Sequence, residues 1–541
     1  MQKLFKRLLL CFLLVLNLGC APTNLGGEVE RPNVIVILAD DMRVGFTGYE
    51  GHPIIDTPNI DRLAQHGAVF TNAFATSAAC TPSRTTLLTG LYERRHGINF
   101  NSDSSMANEA WGRTYPMLMR NAGYYVGYIG KNHTPAGKNE EGVIGYGSGV
   151  MDHSFDYWYA GHKHLGFYPK ENKRHTIFAN AKANTQIEIM EEGVENFFTS
   201  NRAFQEGYNF LDSRPEDKPF ALLLNFNVPH GAGTRSMKLR EGDLPLYRTA
   251  YRDRVEEIKL PSTYVAEKDM VTPKIPRSVY SGEYIEQYHY VKTPEDMIER
   301  TIRTMQTITG IDKLLGKLLE KLEEQGIADN TIIIFTSDHG LLHGEHGLGG
   351  KVLLYEPSIR IPLIVYDPRV NIAVTRKELV ALLDIAPTLL ELAGLPVPRE
   401  VQGKSLKPLI QGIDAKWRDV LFFENNMTIQ HYPRMESVRT QRWKYIRYFD
   451  KNKDQKYEDM LLASINGEEP IYEELFDLRN DPVEYHNMVY DLSSKAILDQ
   501  LRAKNKKLVK QLRGYDPLST YIHNKNQDAN EIDFIEATIH E

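Results

Sequence analysis

Asn33-Val-Ile-Val-Ile-Leu-Ala-Asp-Asp41 is a run of aliphatic, mostly β-branched residues that stops on two carboxylates. A strand with one wet face alternates apolar and polar residues. This run does not, so it reads as a strand covered on both faces, as in a parallel sheet. Adjacent carboxylates at its carboxyl end are costly to bury unless something positive binds them. In open α/β sheets that edge is where ligands sit, and a hard divalent cation is the simple partner for Asp40 and Asp41. A helix cap beside a surface Asp is the plainer reading of the pair in isolation.

Working outward, the pattern recurs. Gly123-Tyr-Tyr-Val-Gly-Tyr-Ile-Gly130 runs into Lys131-Asn132-His133, and Pro219-Phe-Ala-Leu-Leu-Leu-Asn-Phe226 runs into Asn227-Val228-Pro229-His230. Thr331-Ile-Ile-Ile-Phe-Thr336 runs into Ser337-Asp338-His339-Gly340. Four such strands predict an α/β fold with a large, mostly parallel central sheet flanked by helices. Lys131 and His133, at alternate positions, can face one pocket. Thr57-Pro58 and Thr293-Pro294 each open a helix, the second continuing to Gly326 on an apolar stripe from Ile298 to Leu322. Gly67–Thr71 and Arg360–Tyr366 read as further strands, and Asp384–Gly394 as a structural helix.

Past residue 414 the runs shorten: Val420–Phe423, Ser437–Arg439, Trp443–Tyr448 and Glu474–Asp477, then a charged amphipathic helix from Ser493 to Leu512. This predicts a smaller C-terminal antiparallel sheet with a helix on it. The expected organisation is a leader over 1–20, a tether over 21–32, a catalytic domain over 33–413 and an α+β subdomain over 414–541, consistent with a chain too long for one ordinary core. Residues 137–215, with Trp158, His162, His164 and Tyr168, read either as a sugar-facing insertion or as ordinary folded loop. Residues 231–290 read as a surface excursion beside the site.

A net charge of −7 argues against a nucleic-acid partner. In the leader, Lys3, Lys6 and Arg7 precede an apolar stretch too short to span a membrane, which ends at Leu18-Gly19-Cys20. It resembles a bacterial lipobox, with Asn17 where Leu is usual, and predicts export with Cys20 lipidated. Cleavage near Ala21 without lipidation is the alternative. Of the three cysteines, only Cys80 lies in the body of the chain, so neither a disulfide nor a cysteine-based metal site is available there.

Cys80 stands in Ala79-Cys-Thr-Pro-Ser-Arg-Thr-Thr-Leu-Leu-Thr-Gly90. A cysteine with Pro82 at +2 and Arg84 at +4, then Leu-Thr-Gly, resembles the signature of the formylglycine-dependent sulfatases, members of the alkaline phosphatase-like superfamily. The plainer reading is a buried structural cysteine at a helix entry. The resemblance extends over residues 31–520 through motifs in the family's order: Asp40-Asp41, Cys80-x-Pro-x-Arg84, Gly130-Lys131-x-His133, Pro229-His230, Asp338-His339-Gly340 and Lys351.

The resemblance implies a sulfuric ester hydrolase in which Cys80 is oxidised to formylglycine by a formylglycine-generating enzyme. Asp40, Asp41, Asp338, His339 and the modified residue 80 would hold one calcium ion, His339 being the least oxygen-like ligand. The hydrated aldehyde would attack sulfur, with Arg84 and Lys131 holding the diol. His230 and Lys351 would bind sulfate and protonate the leaving alcohol, and His133 would assist release. The substrate class implied is sulfated carbohydrate outside the cytoplasm, in the periplasm or at the cell surface. Two other readings stay open: a phosphate or phosphonate monoester hydrolase on the same scaffold, and an exported glycan-binding protein with Cys80 unmodified. No spacing names the sugar, the sulfate position or the oligomeric state.

Overall fold

A computed structural model describes residues 31–100, 104–162, 210–232, 239, 241, 245–280, 290–370, 372–428, 432–450, 457–513 and 521–523. The leader with Cys20, most of the tether, and His164 and Tyr168 lie outside the described residues.

The catalytic half is built on strands β1 (Asn33–Asp40), β2 (Ala68–Phe70), β3 (Tyr125–Asn132), β4 (Tyr157–His162), β5 (Phe220–Pro229), β6 (Thr331–Ser337), β7 (Leu363–Tyr366) and β8 (Val374–Arg376). They form one sheet in the order β8-β2-β7-β6-β1-β5-β3-β4. β1 lies between β5 and β6, parallel to both, with Val34 opposite Ala221 and Ile332. Only β7 runs against its neighbours. The sheet is thus mostly parallel, as the uninterrupted aliphatic runs require.

Those runs lack polar positions because both faces are dry. Val34, Val36 and Leu38 join a cluster with Leu389 and Leu390 of helix Ile385–Leu392, while Ile35 and Ile37 join one with Met305, Ile308 and Leu315. The latter three sit on the long helix Pro294–Glu324. That helix begins as its sequence predicts: the Thr293 hydroxyl accepts from the Asp296 amide at 3.1 Å, and Pro294 occupies the first turn.

β4 and β8 were not legible in the sequence. β4 is short and aromatic, and its Trp158 ring packs 5.1 Å from Tyr128 and 5.6 Å from Phe155, so this aromatic belongs to the core. The C-terminal part carries a separate sheet of four antiparallel strands, Leu421–Asn425, Arg434–Arg439, Trp443–Phe449 and Tyr472–Asp477, with helix Lys495–Arg513 against it.

Helix α1 (Cys80–Thr89) and the short α2 (Glu93–His96) join the two parts. All ten residues of α1 are buried. At the end of α2, the His96 ring accepts from the Ile98 amide through Nδ1 (3.1 Å) and meets the Thr86 hydroxyl at Nε2 (3.2 Å), a neutral tautomer. Burial pushes its pKa down from 6.5 to about 3. The unfolded chain therefore takes up a proton below 6.5 that the folded chain refuses. The stabilising contribution is complete above pH 6.5 and is lost at about 1.4 kcal/mol per pH unit as pH falls towards 3. Between pH 7 and 4, the unfolding free energy of His96→Gln is expected to fall less steeply than that of the parent, by about 1.4 kcal/mol per pH unit.

Candidate active site

Four adjacent parallel strands deliver the site. β1 ends at Asp40, β6 leads to Asp338 and His339, β3 ends with Lys131 and Asn132 before His133, and β5 leads to His230. Successive strand residues face opposite sides. Asp41 escapes that alternation by adopting a left-handed backbone (φ 67°), and its amide donates to Asp338 Oδ1 at 3.1 Å. Asp tolerates that region better than most residues.

Cys80 opens α1, and its sulfur lies 3.5 Å from Asp40 Oδ1, 3.3 Å from His339 Nε2 and 3.1 Å from Lys351 Nζ. It is fully buried. One helical turn on, Arg84 Nε donates to Asp338 Oδ2 at 2.9 Å, and its Nη2 stands 3.5 Å from Asp40 Oδ1. Lys131 Nζ meets Asp40 Oδ2 at 2.6 Å, and Lys351 Nζ meets Asp41 Oδ1 at 2.9 Å. His133 reaches the Cys80 sulfur. His230 Nε2 lies 3.8 Å from Asp41 Oδ2. Lys351 and His230, 16% and 18% exposed, face the open side, whereas Asp40, Lys131 and Asp338 are sealed.

The charges set the protonation states. Burial opposes ionisation of Asp40, but Lys131, with His230 and Arg84, outweighs it and holds the carboxyl well below its usual range. Burial also opposes a charge on His339, yet Asp338 and Cys80 raise it to about 9. His133 moves the other way, to about 4, because burial dominates. It is therefore neutral near pH 7 and able to accept a proton.

Asp40, Cys80, Asp338 and His339 each offer a ligand atom, all within 4.8 Å of one another. Asp41 stands beside this group, its Oδ1 3.4 Å from His339 Nδ1. Its other oxygen, Oδ2, is buried without a hydrogen-bond partner among the described residues. Three carboxylates with an orphaned oxygen fit a hard divalent cation.

Every residue assigned from the sequence, Cys20 excepted, falls in this one place. Sequence reasoning missed the supports. Ser83, an unassigned position inside the Cys80 motif, donates to the Asp338 carbonyl. Ser337 accepts from the Met42 amide (2.9 Å) and donates to the His339 carbonyl (2.9 Å). The Tyr128 hydroxyl donates to the Lys131 carbonyl (3.0 Å). No spacing marks such residues: Ser83 and Ser337 reach partners on distant segments, and the local contacts of Tyr128 and Ser337 are to backbone carbonyls, which leave no sequence pattern.

A helix-borne nucleophile, paired carboxylates and cations at the carboxyl edge of this sheet define a hydrolase of esters of tetrahedral oxyanions. Residues 32–395 match the sulfatase family, and residues 344–511 match the N-sulphoglucosamine sulphohydrolase C-terminal family. The chain belongs to the sulfatase family and is a sulfuric ester hydrolase. It is 28% identical to an arylsulfatase of Clostridium perfringens over 90% of this chain and 95% of that one. It is 27% identical to an N-acetylglucosamine-6-O-sulfatase of Bacteroides thetaiotaomicron over 89% of this chain and 86% of that one. The fold is shared with the solved phosphonate monoester hydrolase of Agrobacterium radiobacter (TM-score 0.66, 21% identity, 92% and 100% of the two chains). The family generally uses formylglycine and a divalent metal. Among the described residues no helix is long and apolar enough to cross a membrane.

Proposed function

We propose that this sulfatase removes sulfate from carbohydrate esters, using Cys80 in its formylglycine form and one calcium ion. The observation that carries the reading is the cluster of Asp40, Cys80, Asp338 and His339 within 4.8 Å, with Lys351 Nζ 3.1 Å from the sulfur. Asp40, Asp41, Asp338 and residue 80, with His339 beside them, would hold the calcium. When bound, that ion would neutralise sulfate oxygens and acidify the attacking hydroxyl. The formylglycine would supply the hydrated aldehyde as nucleophile.

The chain's own groups do the rest. Lys131 and Arg84 keep Asp40 ionised, and Arg84 aligns Asp338 beside residue 80. Lys351 and His230, on the open side, bind the incoming sulfate. His230, whose pKa burial depresses, protonates the leaving alcohol once the anion arrives beside it. Neutral His133 accepts the proton released at residue 80. The carbohydrate preference is supported by the N-acetylglucosamine-6-O-sulfatase relative, and an extracytoplasmic location by the leader sequence.

The test is sulfate release from a panel of mono-sulfated sugars, paired with the mass of the peptide bearing residue 80. A mass about 18 Da below the thiol form marks the aldehyde. Turnover by a protein whose Cys80 remains a thiol would remove the formylglycine reading. Aryl phosphate and phosphonate esters belong in the same panel, because the fold also serves a phosphonate monoester hydrolase. Faster turnover of those esters than of any sulfate would displace the sulfate reading.

Removing metal gives a further expectation. Chelator-treated protein should lose turnover and regain it on adding calcium. Its unfolding midpoint should also rise with calcium, the stabilisation reaching about 2.7 kcal/mol at a hundredfold excess over Kd. Asp338→Asn should flatten that rise, whereas an unchanged midpoint across calcium concentrations would rule out the site.

A further inference from the structure

Between the segments that carry Asp41 and Lys351, a second polar cluster has no part in the chemistry above. Residues Leu342–His343 and Gly349–Gly350 form a two-stranded ribbon just after Asp338-His339. Its returning arm runs directly into Lys351, whose Nζ contacts the Cys80 sulfur. The outgoing arm carries His343, and the turn carries Glu345. From the other side comes Arg43, two residues beyond Asp41. Its Nη1 donates to Glu345 Oε1 at 2.6 Å and to the Leu341 carbonyl at 3.3 Å, and Glu345 Oε2 accepts from the His343 amide at 2.6 Å.

Two buried atoms of this cluster have no hydrogen-bond partner among the described residues: Arg43 Nε and His343 Nδ1. Leaving such atoms unsatisfied costs free energy, so each calls for a polar partner. The His343 imidazole is 2% exposed, stands edge-on to Phe46 at 5.8 Å, and lies within electrostatic reach of Arg43, Glu345, Arg300 and Asp41. The ribbon is also held still. His346 donates its amide to the Thr263 carbonyl at 2.7 Å, and the Tyr264 hydroxyl donates to the Val291 carbonyl at 2.7 Å. Gly344 has φ +89°, and a Cβ there would sit 2.5 Å from the Tyr264 ring. The cluster is therefore placed by the same rigid ribbon that places Lys351.

We infer that Arg43, His343 and Glu345 form the subsite that grips neighbouring hydroxyls of the sugar ring bearing the scissile sulfate. The inference rests on the carbohydrate reading above. A sugar hydroxyl both donates and accepts, and this trio offers both functions side by side: guanidinium N–H groups, a carboxylate and an imidazole nitrogen. The Arg43–Glu345 pair is internally neutral, so it suits hydroxyls rather than a second sulfate or a carboxylate. Binding energy taken from the ring would then be available to orient the ester for attack.

The experiment pairs the full-length mature enzyme and its Glu345→Gln and Arg43→Lys variants with three probes. These are the best mono-sulfated sugar of the panel, its analogues lacking one ring hydroxyl beside the sulfate, and 4-nitrophenyl sulfate. The variants should lose roughly 10–100-fold in kcat/KM on the full sugar, as the wild type does on one deoxy sugar. On that deoxy sugar the variants should lose little more, because the contact is already gone. Their loss on 4-nitrophenyl sulfate should be at least about tenfold smaller. Losses that multiply on every deoxy sugar, or that match on sugar and aryl sulfate, would overturn the subsite while leaving the sugar reading intact. A wild type that turns over 4-nitrophenyl sulfate but no sugar sulfate would overturn both.

Discussion

Cys80→Ala is expected to lower sulfate-ester turnover by on the order of 10⁴-fold or more, because nothing else in the site can attack sulfur. Asp40, Asp338, His339 and Lys351 are held by groups other than the sulfur: Lys131 on Asp40, Arg84 on Asp338, the Gly340 carbonyl on His339 and Asp41 on Lys351. The alanine variant should therefore fold. Its melting midpoint should equal or exceed that of the parent, since a site packed with charge around a buried sulfur is not optimised for stability. Turnover within tenfold of the parent would mean that residue 80 is not the nucleophile.

The largest expected loss of stability lies elsewhere, at Arg94. This fully buried guanidinium donates to Glu424 through Nε (2.8 Å) and to Glu436 through Nη2 (2.9 Å), and stacks 4.5 Å over Phe422. Glu436 keeps a second partner in Arg447; Glu424, fully buried, keeps among the described residues the Asn426 amide group (3.0 Å) and the backbone amide of residue 94 (3.0 Å). Arg94→Met preserves the bulk and removes the charge, leaving Glu424 as an uncompensated buried carboxylate. Breaking such a pair from one side costs about 3–5 kcal/mol. A chain of this length unfolds with an entropy of roughly 1 kcal/mol/K, so the melting midpoint should drop by about 3–5 °C. The exposed pair Arg62–Glu323 is the control: Arg62→Met should cost less than about 1 kcal/mol. Equal shifts for the two variants would show that the Arg94 network carries no special weight.

Why so much of the site was readable follows from how this fold is made. A parallel strand covered on both faces must be an unbroken aliphatic run, and its polar residues can begin only where the strand leaves the sheet. The step from Leu38 to Asp40, or from Phe335 to Asp338, is therefore visible in the chain, and four such steps on neighbouring strands meet at one edge. β4 was hidden because Tyr157 and Trp158 do not look like that run. The second polar cluster was hidden for another reason. Arg43 and Glu345 are 302 residues apart, and only the sheet brings β1 and the ribbon after β6 together. Gly344-Glu345-His346-Gly347 carries no signal in the chain that points to Arg43.

The depth of α1 also bears on time. With its thiol fully buried, Cys80 cannot be reached by another protein's active site once the chain has folded. Any enzymatic conversion of that thiol belongs to the interval before burial. The second edge of β1 cannot be paired until Thr331, opposite Asn33, has been made. Roughly 250 residues separate Cys80 from that strand, and at about 5–20 residues per second their synthesis lasts on the order of tens of seconds. The long loop closure in this sheet thus lengthens the time during which a short peptide around Cys80 stays unburied, and on the formylglycine proposal faster folding would yield more protein with less of it active.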